Sequence, residues 1–180
     1  YVAGNWTAAD AGWHLISSPV ASQAISVFET TGAGNGYDFY GWRESDKTWL
    51  NYKAGDFSTW NGSTNFVVGR GYLISYEANQ TKSFSGNLNV SDVSLSGLSY
   101  NPSQGNGWHL LGNPFASAIQ WNNTGGDWSL SNVAGTAKIW NSTSKSYTDI
   151  VANGIIPSAQ GFFVQVSNSS NGLTIPASAR

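Results

Sequence analysis

The chain has 180 residues, of which only 10% are charged, and its formal net charge is −2. Lysines and arginines fall singly, without the basic stripe that nucleic-acid affinity demands, and no apolar run approaches the roughly 20 residues needed to span a bilayer. Cysteine is absent, which excludes a disulfide framework, a thiolate nucleophile and any Cys-based metal site.

Nine Trp, eight Tyr, eight Phe and 21 Gly sit among many Asn, Ser and Thr. β-Branched and aromatic residues alternate with small polar ones, so the fold expected is all-β, with short antiparallel strands joined by tight polar turns. No signal peptide precedes Tyr1-Val2-Ala3-Gly4-Asn5, which reads as linker, so the chain is expected to be a module of a longer mature protein. In chain order, a strand over 12–17 ends before Pro19, because proline cannot continue a central ladder. The segment 21–28 is expected to form a turn or two of helix. A glycine-rich turn over 32–36 leads into a hairpin: strand 37–43, polar turn Glu44-Ser45-Asp46-Lys47, strand 48–53. Strands follow over 71–76, 81–84 and 88–95. The second half reads as strand 107–112 ending before Pro114, a shorter helical turn over 116–121, and hairpin strands 136–141 and 146–151. Strands over 161–166 and 173–176 close the chain.

The halves echo each other. Gly12-Trp13-His14-Leu15-Ile16-Ser17-Ser18-Pro19-Val20 returns as Gly107-Trp108-His109-Leu110-Leu111-Gly112-Asn113-Pro114-Phe115. Trp42, Lys47 and Trp49 return as Trp140, Lys145 and Tyr147, and Gly69-Arg70-Gly71-Tyr72-Leu73-Ile74 returns as Ala159-Gln160-Gly161-Phe162-Phe163-Val164. The offsets are about 90 to 98 residues. The reading is a duplication within one sandwich-like module over 1–180, with pseudo-repeats at about 12–95 and 107–176. Two tandem β units, each closed on its own, are the alternative.

Several segments resemble a known family. Gly107-Trp108-His109-Leu110-Leu111-Gly112-Asn113-Pro114-Phe115-Ala116-Ser117-Ala118-Ile119-Gln120-Trp121 is similar to the "GWNLIGNPYPSAIDW" segment of secreted, multidomain Bacteroidetes proteins. The stretch from Ser83 to Val93 resembles "FTGTLNTGDV", that from Pro157 to Val164 resembles "PGQGFFVK", and that from Ile175 to Arg180 resembles "IPASARV". The first half resembles the "WHLISSPV" variant of the same unit. In that family such β-rich accessory regions precede a type IX secretion sorting domain. The resemblance therefore implies export to the cell surface or medium, but no reaction.

Catalytic signals are sparse. His14 and His109 occupy the same slot of the repeat and are expected to bond nearby backbone. The carboxylates Asp10, Glu29, Asp38, Glu44, Asp46, Asp56, Glu77, Asp92, Asp127 and Asp149 show no matched pair of the kind a glycosidase places about 5 or about 6.5–9.5 Å apart. Asp92 and Asp127, in turns, are the candidates for oxygen ligands to a structural Ca²⁺, and no other cofactor is expected. The triplets Asn5-Trp6-Thr7, Asn79-Gln80-Thr81 and Asn141-Ser142-Thr143 read as turn chemistry.

The aromatic residues carry the functional expectation. A four-residue turn sets Trp42 across from Trp49 and Trp140 across from Tyr147, and Lys138 marks their face as wet. Each half then presents an outward aromatic pair, with Tyr40, Asn51 and Asp149 on the same face. Such pairs staple a hairpin by roughly 0.2–1 kcal/mol, and they are also surfaces on which a neutral pyranose stacks. Trp60 and Trp128, flanked by polar residues, are either plugs over the core or further sugar-binding candidates. Trp13, Trp108 and Trp121 are assigned to the core. The first reading is thus a non-catalytic, secreted or surface carbohydrate-binding module whose partners are a polysaccharide and other domains of the same polypeptide. The second is a structural spacer or adhesin segment without a glycan ligand, and the third is a hydrolase.

Overall fold

A computed structural model describes residues 1–4, 6, 12–31 and 36–180. The triplet at Asn5, Asp10 and most of the turn over 32–36 lie outside the described residues. In the first half, β1 (Trp13–Ile16), β2 (Tyr37–Arg43), β3 (Thr48–Asn51), helix α1 (Gly55–Asn61) and β4 (Tyr72–Tyr76) follow in order. After β5 (Val93–Ser96) come β6 (Trp108–Gly112), β7 (Ile119–Gln120), β8 (Ser129–Ser131), β9 (Ala137–Asn141) and β10 (Ser146–Ile150). The chain closes with β11 (Ile155–Ile156), β12 (Gly161–Gln165) and β13 (Gly172–Ile175). The fold is all-β, antiparallel and sandwich-like.

Two four-stranded sheets form the centre, in the orders β1-β4-β2-β3 and β10-β9-β12-β6. Read from β6, the second order follows the repeat alignment strand for strand. Period-two alternation gives each sheet two faces. The outer face of the first sheet buries Phe39, Leu50, Tyr72, Ile74 and Tyr76 against Ile25, Phe28, Phe57 and Phe66. The outer face of the second buries Leu111, Phe162 and Val164 against Phe115, Ile119 and Trp121, and against Leu173 and Ile175 of a third sheet ordered β5-β13-β8. The inner faces meet in a third cluster built on Leu15, Leu110 and Phe163.

The sheets are joined by paired contacts. The amide of Ser17 donates to Ala159 O at 2.9 Å, and the amide of Gly112 donates to Gly69 O at 2.9 Å. Bridges link Ile16 to Gln160 and Arg70 to Leu111. Where the backbones cross, a Cβ on Gly71 would lie 2.2 Å from Leu111 O, and one on Gly161 would lie 3.0 Å from the Leu15 Cβ. Glycine at both points lets the two sheets approach.

Some local expectations are corrected. The segment 116–121 is not helical: Ile119 and Gln120 form β7, paired with β11. No strand forms over 81–84, and of 88–95 only the end forms a strand, as part of β5, while Leu88 makes an isolated bridge to Val20. Helix α1 was not expected. Seven residues form no stable helix alone, so Phe57, buried in the first core, and Trp60, packed at its edge, supply the order. Over 21–28 the chain makes one 3₁₀ turn, Ile25–Phe28.

Candidate functional site

The hairpin register follows the alternation. Trp42 pairs with Trp49 and Trp140 with Tyr147, at ring separations of 5.1 and 5.2 Å. The expected outward, wet face is overturned. Trp42, Trp49 and Trp140 are half-buried against the opposite sheet, because the strand face that carries them is the inner face of the sandwich. Phe163 of β12 lies 6.1 Å from Trp42, 6.2 Å from Trp49 and 5.7 Å from Tyr147, so rings of both sheets interlock. Tyr147 keeps 47% of its surface exposed. The sheets do not close fully over these rings, and a cleft remains.

Two pockets occupy that cleft. One, of about 350 Å³, is lined by Trp13, Leu15, Tyr40, Trp49, Leu73, Trp140 and Tyr147. The other, of about 420 Å³, draws on Trp42, Trp49, Trp108, Tyr147 and Phe163 from the two sheets, with Lys47 and Lys138. Both volumes lie at the small end of the roughly 300–1,000 Å³ range of ligand pockets. Trp49 and Tyr147 line both. By the repeat alignment Trp13 matches Trp108, Leu73 matches Phe163, Trp140 matches Trp42 and Tyr40 matches Lys138, so the pockets are counterparts on either side of the shared pair. Among the described residues no carboxylate lines either pocket.

Hydrogen bonding separates the two. Trp42 Nε1 donates across the cleft to Trp108 O at 2.7 Å. Its counterpart, Trp140 Nε1, is buried with no partner among the described residues. Tyr40 lies 5.9 Å from Trp13, edge to face, and accepts a 3.3 Å hydrogen bond from Asn51 Nδ2. In the same corner of the other pocket Lys138 lies 5.8 Å from the Trp108 ring and pairs with Asp149. Burial, then the charge of Asp38, raises the Tyr40 phenol above its usual range, against the Asn51 bond. Burial alone raises Tyr147. Both phenols therefore remain protonated donors at neutral pH.

The wall of the lysine pocket rests on a buried carboxylate. Glu44, 2% exposed, accepts from Ser99 Oγ at 2.6 Å and from the amides of Asn101 at 2.6 Å and Gly107 at 2.9 Å. These bonds hold the 99–107 loop, which carries Gln104 and Asn106 to the pocket. A Cβ on Gly105 would lie 2.2 Å from Glu44 O, so only glycine fits there.

The remaining candidates lie elsewhere. Trp60 packs on the first core under the Arg70 guanidinium, 4.4 Å away, and Gly41 leaves room for its ring. Trp128 packs edge-on to Trp121 at 4.8 Å and donates to Gln120 O at 3.0 Å. Each covers an outer core, and neither joins the cleft. Asn51 and Asp149 stand behind Tyr40 and Lys138 as partners. Asp92 Oδ1 accepts from the Ala177 amide and Asp127 Oδ2 from Ser178 Oγ, so both tie down the C-terminal turn. Among the described residues no three His, Asp or Glu side chains gather as a metal set. His14 and His109 donate through Nε2 to Ala3 O and Ser99 O, at 3.0 and 2.8 Å.

Trp13, Trp108, Phe163, Lys47 and Lys138 join the cleft without having been named as binding candidates. The signal was present: alternation puts Trp13 and Trp108 on the strand face that carries Leu15 and Leu110. It was read as core because nothing in the sequence says that the sheets leave a gap. No family model, curated protein or solved structure matches the chain.

Proposed function

We propose that the chain is a non-catalytic, extracellular carbohydrate-binding module whose ligand lies in the aromatic cleft between the two sheets. One observation carries this reading: two adjoining pockets walled by indole and phenol rings share Trp49 and Tyr147. Flat rings offer apolar faces to pyranose C–H groups, while the Tyr40 and Tyr147 hydroxyls and nearby carboxamides bond sugar oxygens. Targeting of a secreted or surface protein to polysaccharide follows as its role, in keeping with the resemblance to exported accessory regions.

The test is binding of the chain to a panel of soluble and insoluble polysaccharides, beside a Tyr147→Ala variant. Tyr147 is the most exposed of the cleft rings, so near-UV circular dichroism can verify that the variant stays folded. We expect at least a tenfold loss of affinity, corresponding to about 1.4 kcal/mol. A folded wild-type chain that binds no glycan overturns the reading. That outcome favours the second reading, a surface spacer, which rests on the bond from Trp42 Nε1 to Trp108 O and the Phe163 packing as a full structural use for these rings.

A further inference from the structure

The two pockets share matched residues at most of their ring positions, and one corner between them differs in charge. Beside Trp13 stands a neutral pair, Tyr40 with Asn51, and beside Trp108 stands an ionic one, Lys138 with Asp149. Lys47 lines the same pocket as Lys138. It is exposed and makes no ion pair among the described residues. Two ammonium groups therefore line this pocket, of which Lys138 alone is paired, to Asp149 outside the lining, on a chain whose net charge is −2. General attraction of polyanions by the whole protein is absent, so affinity for an anion has to be local.

We propose that the pocket of Lys47 and Lys138 takes an anionic substituent of the bound glycan, a uronate carboxylate or a sulfate ester, while the pocket of Tyr40 takes a neutral ring. This rests on the carbohydrate-binding reading and specifies its ligand class. The pockets adjoin through Trp49 and Tyr147, so the two rings belong to one short stretch of chain. Asp149 restrains Lys138, and Lys47, with no ion pair among the described residues, is the ammonium available from the outset. Lysine serves here as a point charge, suited to either anion, with no fork geometry that would select a carboxylate.

The experiment measures affinity for two matched pairs: oligogalacturonate against its methyl ester, and a sulfated galactan against its desulfated form. The readout is the anionic-to-neutral affinity ratio within each pair. In the wild type we expect a ratio above one in at least one pair, and that pair identifies the anion. Lys47→Gln should lower this ratio by about threefold, the scale of one partly exposed charge, and Asp149→Asn should raise it by about as much. Both side chains are exposed, so folding survives either change. Raising the salt from about 0.01 M to about 1 M, which shortens the screening length from about 30 to about 3 Å, should carry the ratio toward one. A ratio of one in both pairs, or one unmoved by both substitutions, overturns the inference and leaves glycan binding intact. No binding to any of the four ligands or to the polysaccharide panel overturns both.

Discussion

The cleft sets two pockets side by side, with counterpart residues at most positions, and the differences between them are concentrated in a few atoms. The first pocket has a phenol where the second has an ammonium, and an indole N–H with no partner among the described residues where the second has a bonded one. The second is also walled by a loop that Glu44 clamps, whereas the aligned position in the other half is Ser142. A common frame with divergent corners is how one sheet pairing can present two different subsites. The interlocked rings hold the frame, and substitutions at its edge set what each side recognises.

The largest effect expected is at Glu44, the carboxylate that clamps the loop beside the lysine pocket. Burial opposes ionisation of this carboxyl. The bonds from Ser99, Asn101 and Gly107, with His109 nearby, overcome that opposition and hold it below its usual range. A folded pKa below the unfolded value of about 4.3 means that the carboxylate stabilises the fold above that pH. The contribution is lost as pH falls through the lower folded value. Glu44→Gln should destabilise the chain by about 2–3 kcal/mol at neutral pH, since the Asn101 and Gly107 amides then lose a charged acceptor. For a chain of this size that lowers Tm by roughly 5–10 °C. Thermal melts across acidic and neutral pH should show the gap between wild type and variant closing below about pH 4. A gap that stays constant would mean that the charge on Glu44 contributes nothing.

The two indoles provide a sharper contrast. Trp42→Phe removes the donor to Trp108 O and leaves that part-buried carbonyl without it, so a loss of about 1–2 kcal/mol is expected. Trp140→Phe removes an N–H that has no partner among the described residues, and relief of that defect offsets the smaller ring, for a change near zero. Chemical denaturation of the two variants should separate them by at least about 1 kcal/mol. Equal losses would show that the Trp140 N–H is satisfied in solution, and the asymmetry between the pockets would then reduce to Tyr40 against Lys138.

Much of this frame is legible in the sequence, and the limits of that legibility are physical. Alternation and a four-residue turn are local properties, so the Trp42–Trp49 and Trp140–Tyr147 registers follow from counting residues. Which face of a sheet is wet is a tertiary property. Lys138 pointed to solvent, but a lysine can lie over Trp108 and end at Asp149 while its strand face meets another sheet. Trp60 and Trp128 stayed open between a plug over the core and a ligand contact for a related reason: polar neighbours in sequence do not reveal that the ring turns back onto an outer core. Helix α1 went unseen because its order comes from Phe57 and Trp60 meeting the sheet, and not from the propensities of Gly55–Asn61.

The smallest effect expected tests the joint between the sheets, where the halves again differ by one group. Gly69 and Ala159 hold matched positions, each offering its carbonyl to the facing strand, and both are left-handed, at φ +79° and +56°. Glycine adopts that conformation freely, whereas an alanine Cβ crowds its own carbonyl oxygen. Ala159→Gly should therefore relieve strain of about 1–2 kcal/mol, less the extra freedom glycine gains in the unfolded chain, for a net gain of about 0.5 kcal/mol. The reverse change, Gly69→Ala, should cost more than the strain alone. A Cβ there would lie 3.0 Å from Val93 Cγ1 and 3.4 Å from the Leu95 methyls. Urea unfolding of both variants should give shifts of opposite sign. Shifts of the same sign would mean that the Ser17–Ala159 and Gly112–Gly69 bonds, alike in length, are not alike in strain, and that the two sides of the joint bear different loads.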